Sequence, residues 1–214
     1  MLLQTMMLQL TTSNARMIAL AISGDFDQYL SKFSEGKYPE ASYQNFVKVF
    51  SHPTNVGEPE IRDALRWKYG HWNKSHFPES HSLLIRRITT LWPDFVRTLP
   101  NQPSSAFTYF HTTFKIRFIS SAFLTHLLFP NDVPIIDQHN FRAINHYLGA
   151  LHPGWTRKAT PSNYRDLESL GSFMKEVLRA WRGITDGPPP TERNLDKFLM
   201  AYGKSIKPKH ATKK

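Results

Sequence analysis

Apolar residues in this sequence recur three and four positions apart, and no stretch alternates long enough to suggest a strand. The spacing therefore predicts helices. Asn14 opens the first, with Met17, Leu20 and Ala21 on its apolar side and, past Gly24, Phe26, Tyr29, Leu30 and Phe33. A second runs from Pro39 and carries Tyr43, Phe46, Val47 and Phe50. Pro59, between Glu58 and Glu60, suits the first turn of a third, whose stripe Ile61, Leu65, Tyr69 ends at Gly70. Ser80 can cap a fourth with Leu83, Leu84, Ile88 and Leu91, stopping near Pro93.

Beyond Pro100 and Pro103 lies the most apolar region. Phe107, Phe110, Phe114, Phe118 and Ile119 keep helical spacing and continue through Phe123 and Leu127. Pro130-Asn131-Asp132 reads as a turn and Val133 to Ile136 as a short extended approach. Asp137 then caps a helix with Phe141, Ile144 and Leu148 on one side, ended by Gly149. A polar loop from Leu151 to Ser162 precedes a long helix to about Arg182. Gly187-Pro188-Pro189-Pro190 connects to a last helix, Leu195 to Tyr202, and residues 204–214 form a basic tail expected to be disordered. The expectation is an all-α fold of about eight helices.

Composition narrows the function. None of the 214 residues is cysteine, which excludes disulfides, thiol nucleophiles, Cys-bound zinc and iron–sulfur clusters. Lys and Arg number 27 against 17 Asp and Glu, a net charge of +10 that favours polyanionic partners. The apolar N-terminus, broken by Gln4, Thr5 and Gln9 and lacking a basic start, is a poor secretory signal, and Phe118 to Phe129 is too short and polar to cross a bilayer. An intracellular protein without a membrane partner is expected. The ten histidines lack metal-site spacing: His71, His76 and His81 lie five apart, and no His-Glu-x-x-His occurs. No metal or cofactor is called for. No Gly-rich phosphate loop and no Gly-x-Ser-x-Gly elbow is present either.

The segment Ile136-Asp137-Gln138-His139-Asn140-Phe141-Arg142 carries the most chemistry. A buried approach delivers an Asp to a helix N-terminus, where it accepts backbone N–H bonds at the positive end of the dipole. A simple cap needs nothing more. The order of elements, however, resembles the helix-hairpin-helix DNA glycosylase superfamily, in which a helix with small residues leads through a short apolar run into Asp-x-His at the start of a helix with a following Arg. Arg117 stands twenty positions before Asp137, close to the family's hairpin-to-Asp distance. The close match spans about Phe114 to Leu148.

The resemblance implies a two-lobed, all-α domain over residues 1–203, with the hairpin and catalytic segment at about 104–148. It implies a cluster-free monomeric enzyme on double-stranded DNA that excises an extrahelical damaged or modified base. Asp137 is then the catalytic carboxylate, stabilising oxocarbenium character on the sugar and orienting water. Gln138 and His139 would face the base and Arg142 the DNA. Excision of a hypermodified base from invading phage DNA falls within this reading, though no single residue points to it.

Two features depart from the family. Its Gly-x-Gly hairpin is absent; the corresponding place reads Phe110-His111-Thr112-Thr113-Phe114, so His111, Thr112 and Thr113, with Arg117, become the candidate DNA-backbone contacts, the first three being equally explained as ordinary capping residues. The Schiff-base lysine of the lyase branch is also missing: Lys115 is the nearest candidate but lies twenty-two positions before Asp137, and the aligned position falls near Phe118 or Ile119. A monofunctional enzyme is favoured over a lyase, with Lys115 as the residue that would overturn this.

Upstream, Trp67, Lys68, Tyr69, His71 and Trp72 alternate aromatic and basic groups around a helix end, a pattern that suits stacking on an extruded base. Tyr69 continues the Ile61 stripe, whereas Trp67, Lys68 and His71 lie on other faces. Basic surface comes from Arg86, Arg87, Arg97, Arg142, Arg157, Lys158 and the tail lysines 207, 209, 213 and 214. Two other readings stay open. One is a non-catalytic nucleic-acid-binding module in which Asp137 only caps. The other is a metal-dependent nuclease using Asp137, His139 and a further carboxylate.

Overall fold

A computed structural model describes residues 10–152, 160–184 and 187–206. Among these, nine α-helices and no strands occur. The chain divides into two compact units, Ser34–Ile135 and a second that joins Met1–Phe33 to Ile136–Lys214. Residues 1–9, the Arg157-Lys158 pair and the tail lysines from Lys207 onward lie outside the described residues.

The unit Ser34–Ile135 holds α2 (Glu40–Phe50), α3 (Glu58–Lys68), α4 (Glu79–Thr98), α5 (Pro103–Thr108) and α6 (Phe118–Leu128). Helix α2 buries Tyr43, Phe46 and Phe50, as its spacing predicts. In α3, Pro59 occupies the first turn and Glu60 Oε2 accepts the Gly57 N–H at 2.9 Å. The helix is followed by Gly70 at φ 65°, where a Cβ would lie 2.8 Å from the Tyr38 hydroxyl. Its core is aromatic: Phe50, Phe95, Phe110, Phe114 and Phe123 are fully buried around Trp92 and Trp67.

Two expectations fail in this unit. Helix α4 does not stop near Pro93 but continues to Thr98. Pro93 sits on the exposed face, where water can serve the carbonyl that loses its partner, and the buried stripe is Ile85, Ile88, Trp92 and Phe95 while Leu83 is exposed. Nor is Phe107 to Leu127 one helix. After α5 the chain makes a π-helical turn, Tyr109–Thr113, then a tight turn through Lys115 at φ 50° before α6 begins at Phe118. Phe114 and Ile116 are buried and Lys115 and Arg117 exposed, so the turn points its charges outward.

The other unit contains α1 (Thr12–Leu30), α7 (Gln138–Leu151), α8 (Tyr164–Trp181) and α9 (Glu192–Ser205). Helix α1 packs on α8, and α7 on α9. Thr11, Asp137, Asn163 and Thr191 each cap a helix through a side-chain oxygen. In α1 the buried face is Ala15, Ile18, Ala19 and Ile22 rather than the expected Met17 and Leu20, which are 55% and 61% exposed. Small alanines let the neighbouring backbone come close, and the larger side chains are left outside.

Candidate active site

Asp137 precedes α7 in extended conformation, φ −142° and ψ 179°. Its Oδ1 accepts the backbone N–H groups of His139 at 2.6 Å and Asn140 at 3.0 Å. Asn140 Oδ1 reciprocates by accepting the Asp137 N–H at 2.7 Å. Both bonds to the carboxylate use one oxygen; no donor among the described residues reaches Oδ2. Asp137 is half-buried, so solvent can reach it. The carboxylate is thus fixed in direction, with one oxygen left for other chemistry.

A polar relay fixes this cap. Asn140 is 1% exposed and its Nδ2 donates to Asp196 Oδ1 at 3.1 Å, while Asp196 pairs with Arg193 on the same face of α9. The Arg193 guanidinium in turn lies 5.7 Å from the Phe33 ring centre. At the other end of α9, Gly203 meets α7 so closely that a Cβ there would fall 1.8 Å from the His139 carbonyl oxygen. The first turn of α7 is therefore gripped by α9 at two points. Asn140, Asp196 and Gly203 were not among the candidate residues. Asn three positions after Asp, a capping-box pattern, was the available signal for the first.

Arg142 is half-buried and turned toward the end of α9. Its Nη1 donates to the carbonyls of Gly203 at 3.1 Å and Ile206 at 3.3 Å, and its charge complements the C-terminus of α9. Gln138 is exposed at the first position of α7 and His139 is half-buried beside it.

Within Ser34–Ile135, the place at which the resemblance expects a hairpin, 110–114, falls on the π-helical turn Tyr109–Thr113, and the tight turn before α6 is Phe114–Arg117. His111 Nδ1 lies 3.1 Å from the Ile116 carbonyl oxygen, and the Thr112 hydroxyl donates to the Thr108 carbonyl at 2.6 Å, so both serve the helix-to-turn passage. Thr112 and Thr113 also line an open hollow of about 350 Å³ with Ser104, Ser105 and Thr108. At the start of α6, no side chain caps the helix, and the first turn closes only through Ser120 and Ser121 onto the Arg117 carbonyl. The N–H groups of Phe118 and Ile119 find no partner in this turn, and among the described residues neither Lys115 nor Arg117 is paired with a carboxylate. A helix N-terminus with flanking cations suits a phosphate.

The aromatic-basic cluster separates into two parts. Trp67 is 2% exposed: its ring stacks between Tyr43 at 5.5 Å and Phe123 at 5.7 Å, and its indole N–H donates to the Pro39 carbonyl at 3.0 Å. Lys68 is buried too, its ammonium 5.6 Å from the Phe123 ring centre. Both are corrected to core residues, since α3 is covered on more than its Ile61–Leu65 stripe. Trp72 is half-buried, edge-on to Phe46 at 6.0 Å. Tyr69 and His71 remain accessible and gather with Phe77 and His81.

His126 was also missed. Buried in α6, it places Nδ1 2.5 Å from the Val133 carbonyl and Nε2 2.9 Å from the Tyr43 hydroxyl. The carbonyl requires the proton on Nδ1, so Nε2 accepts from Tyr43. This pins the extended segment that leads to Asp137; a histidine inside the most apolar helix was its signal.

Among the described residues, no helix is long and apolar enough to cross a membrane, and no three His, Asp or Glu side chains gather as a metal site. No known protein family, no curated protein and no solved structure matches the chain.

Proposed function

We propose that this protein is a monofunctional DNA glycosylase of helix-hairpin-helix type. The observation that carries the reading is Asp137, whose carboxylate is clamped through Oδ1 and open at Oδ2. As the N-glycosidic bond breaks, the departing base takes the bonding electrons and C1′ becomes oxocarbenium-like. A carboxylate oxygen already aimed and needing no reorganisation stabilises that charge. It also orients a water that adds to C1′ and passes a proton to the carboxylate, while the departed base takes a proton from solvent. In the other unit, Lys115, Arg117 and the first N–H groups of α6 anchor a phosphate of the duplex, replacing the family's glycine hairpin. Lys115 serves there as a phosphate contact rather than a Schiff-base nucleophile. The binding-module reading rests on the same capping bonds and lacks only the use of Oδ2.

The test is incubation of duplexes bearing oxidised, alkylated, deaminated and hypermodified phage-type bases in EDTA, followed by alkaline cleavage of abasic sites. Asn caps a helix as well as Asp does, so Asp137→Asn keeps the thermal midpoint while its excision rate falls at least about a hundredfold. No product from wild type across the panel sinks the proposal, and activity abolished by EDTA selects the nuclease. A borohydride-trapped DNA adduct lost in Lys115→Ala overturns the monofunctional assignment.

A further inference from the structure

Tyr69, His71, Phe77 and His81 form a cluster on Ser34–Ile135 that core packing does not account for. The His81 ring lies 4.2 Å from that of Tyr69 at an interplanar angle of 19°. The Tyr69 hydroxyl hydrogen-bonds Ser120 Oγ at 2.5 Å, fixing this stack to the first turn of α6. His71 meets His81 edge-on at 5.5 Å, and Phe77 closes the group at 5.6 Å from His71 and 5.0 Å from His81. All four residues are half-buried, so the group keeps an accessible side.

The two imidazoles are unusual in what they lack. Nδ1 of His71 and Nδ1 of His81 are both buried without a hydrogen-bond partner. Two such atoms in one cluster are rarely retained for packing alone. Burial, then Lys74 and Arg66, lower the pKa of His71; burial, then His71 and Arg117, lower that of His81. Both rings are neutral at pH 7, each with one donor and one acceptor. Arg66 also holds the turn itself, its Nη2 donating to the Lys74 carbonyl at 2.5 Å.

A ligand fitting this group has a flat π-face, an edge that both donates and accepts hydrogen bonds, and negative charge beside it. We propose that Tyr69, His71, Phe77 and His81 form a stacking site for one unpaired DNA base, whose edge the imidazole nitrogens meet once the rings turn outward, with Arg66, Lys74 and Arg117 drawing the flanking phosphates. The inference rests on the DNA part of the reading above, not on excision, and adds Phe77 and His81 to Tyr69 and His71.

The test is fluorescence anisotropy with a duplex carrying a single-nucleotide bulge and with its fully paired counterpart. Wild type and Asp137→Asn both bind the bulged duplex about tenfold more tightly. His71→Leu and His81→Leu reduce that preference to under about threefold, and His81→Gln retains more of it. Equal affinity of wild type for the two duplexes overturns the site, as does full preference in both Leu variants. Should the Leu variants unfold, the wild-type histidine ring NMR signals decide: those of His71 and His81 shift with the bulged duplex only, and their failure to shift overturns the proposal. Excision without base preference sinks this inference alone; base preference without excision sinks the glycosylase alone.

Discussion

Lys115 holds a backbone conformation that glycine adopts freely and an L-residue adopts at a cost of about 1–2 kcal/mol. Lys115→Gly removes that strain but adds freedom to the unfolded chain. The net expectation is stabilisation by about 0.5–1 kcal/mol, read as a higher denaturant midpoint at unchanged slope, whereas Lys115→Val destabilises. The tight turn here was not legible, because no glycine marks it and nothing in a lysine announces a positive φ. Its trace is the alternation of buried Phe114 and Ile116 with exposed Lys115 and Arg117. Asp137, by contrast, was legible at once, because an Asp before a helical stripe has few other uses. Its relay to Asp196 was not, since those residues meet only in the folded chain.

The His71–His81 pair gives stability a pH dependence of definite sign. Burial, followed for His71 by Lys74 and for His81 by His71, lowers both folded pKa values below the ordinary histidine value of about 6.5. Between the two values the unfolded chain binds more protons. The contribution is therefore complete above about pH 6.5 and is lost as pH falls through that value toward the folded pKa values. The thermal midpoint is expected to drop between pH 7.5 and 5, and the double variant His71→Gln/His81→Gln to drop less over the same interval. Equal slopes would falsify the assignment.

At the scale of elements, the contact between α9 and α7 depends on a missing methyl group. A Cβ on Gly203 would overlap the His139 carbonyl oxygen, a backbone atom that cannot move without shifting α7. Gly203→Ala should destabilise the protein by about 3 kcal/mol or more, and the proposed excision should fall alongside because Asp137 loses its support. Gly24→Ala is the matched control: nothing lies within 4 Å of its added carbon, in the exposed part of α1, and it should stabilise by about 0.5–1 kcal/mol. Circular dichroism melts of the two variants check both. Helices α2, α3 and α7 were readable because each carries one clear apolar stripe. The face of α1 was not, because Ala15 and Ala19 look less hydrophobic than Met17 and Leu20 yet are the residues that allow close packing. Helix α6 buries every residue from Ser120 to Leu127, so periodicity carries no information about where it starts.

On the scale of the whole molecule, sequence neighbours and structural neighbours part company. Helix α1 precedes α2 directly but belongs with α7, α8 and α9. Native-state hydrogen exchange should place the amides of Ile18, Ala19 and Ile22 in one cooperative class with α8 and α9, and those of Phe46 and Phe50 in another with α3 and α4. Exchange of α1 in step with α2 refutes the division. Local spacing has no access to this pairing, since the residues that bury α1 arrive more than a hundred positions later.

That pairing sets an order on the ribosome. The unit Ser34–Ile135 is complete before α8 and α9 have been translated. Helix α1, made first, waits for its partners with Ile18 and Ile22 uncovered. The turns of α9 bring Asp196 to Asn140 and Gly203 to His139. A translation product interrupted before α9 thus carries the turn ahead of α6 without an aligned Asp137, so the carboxylate is aimed only once α9 has been made.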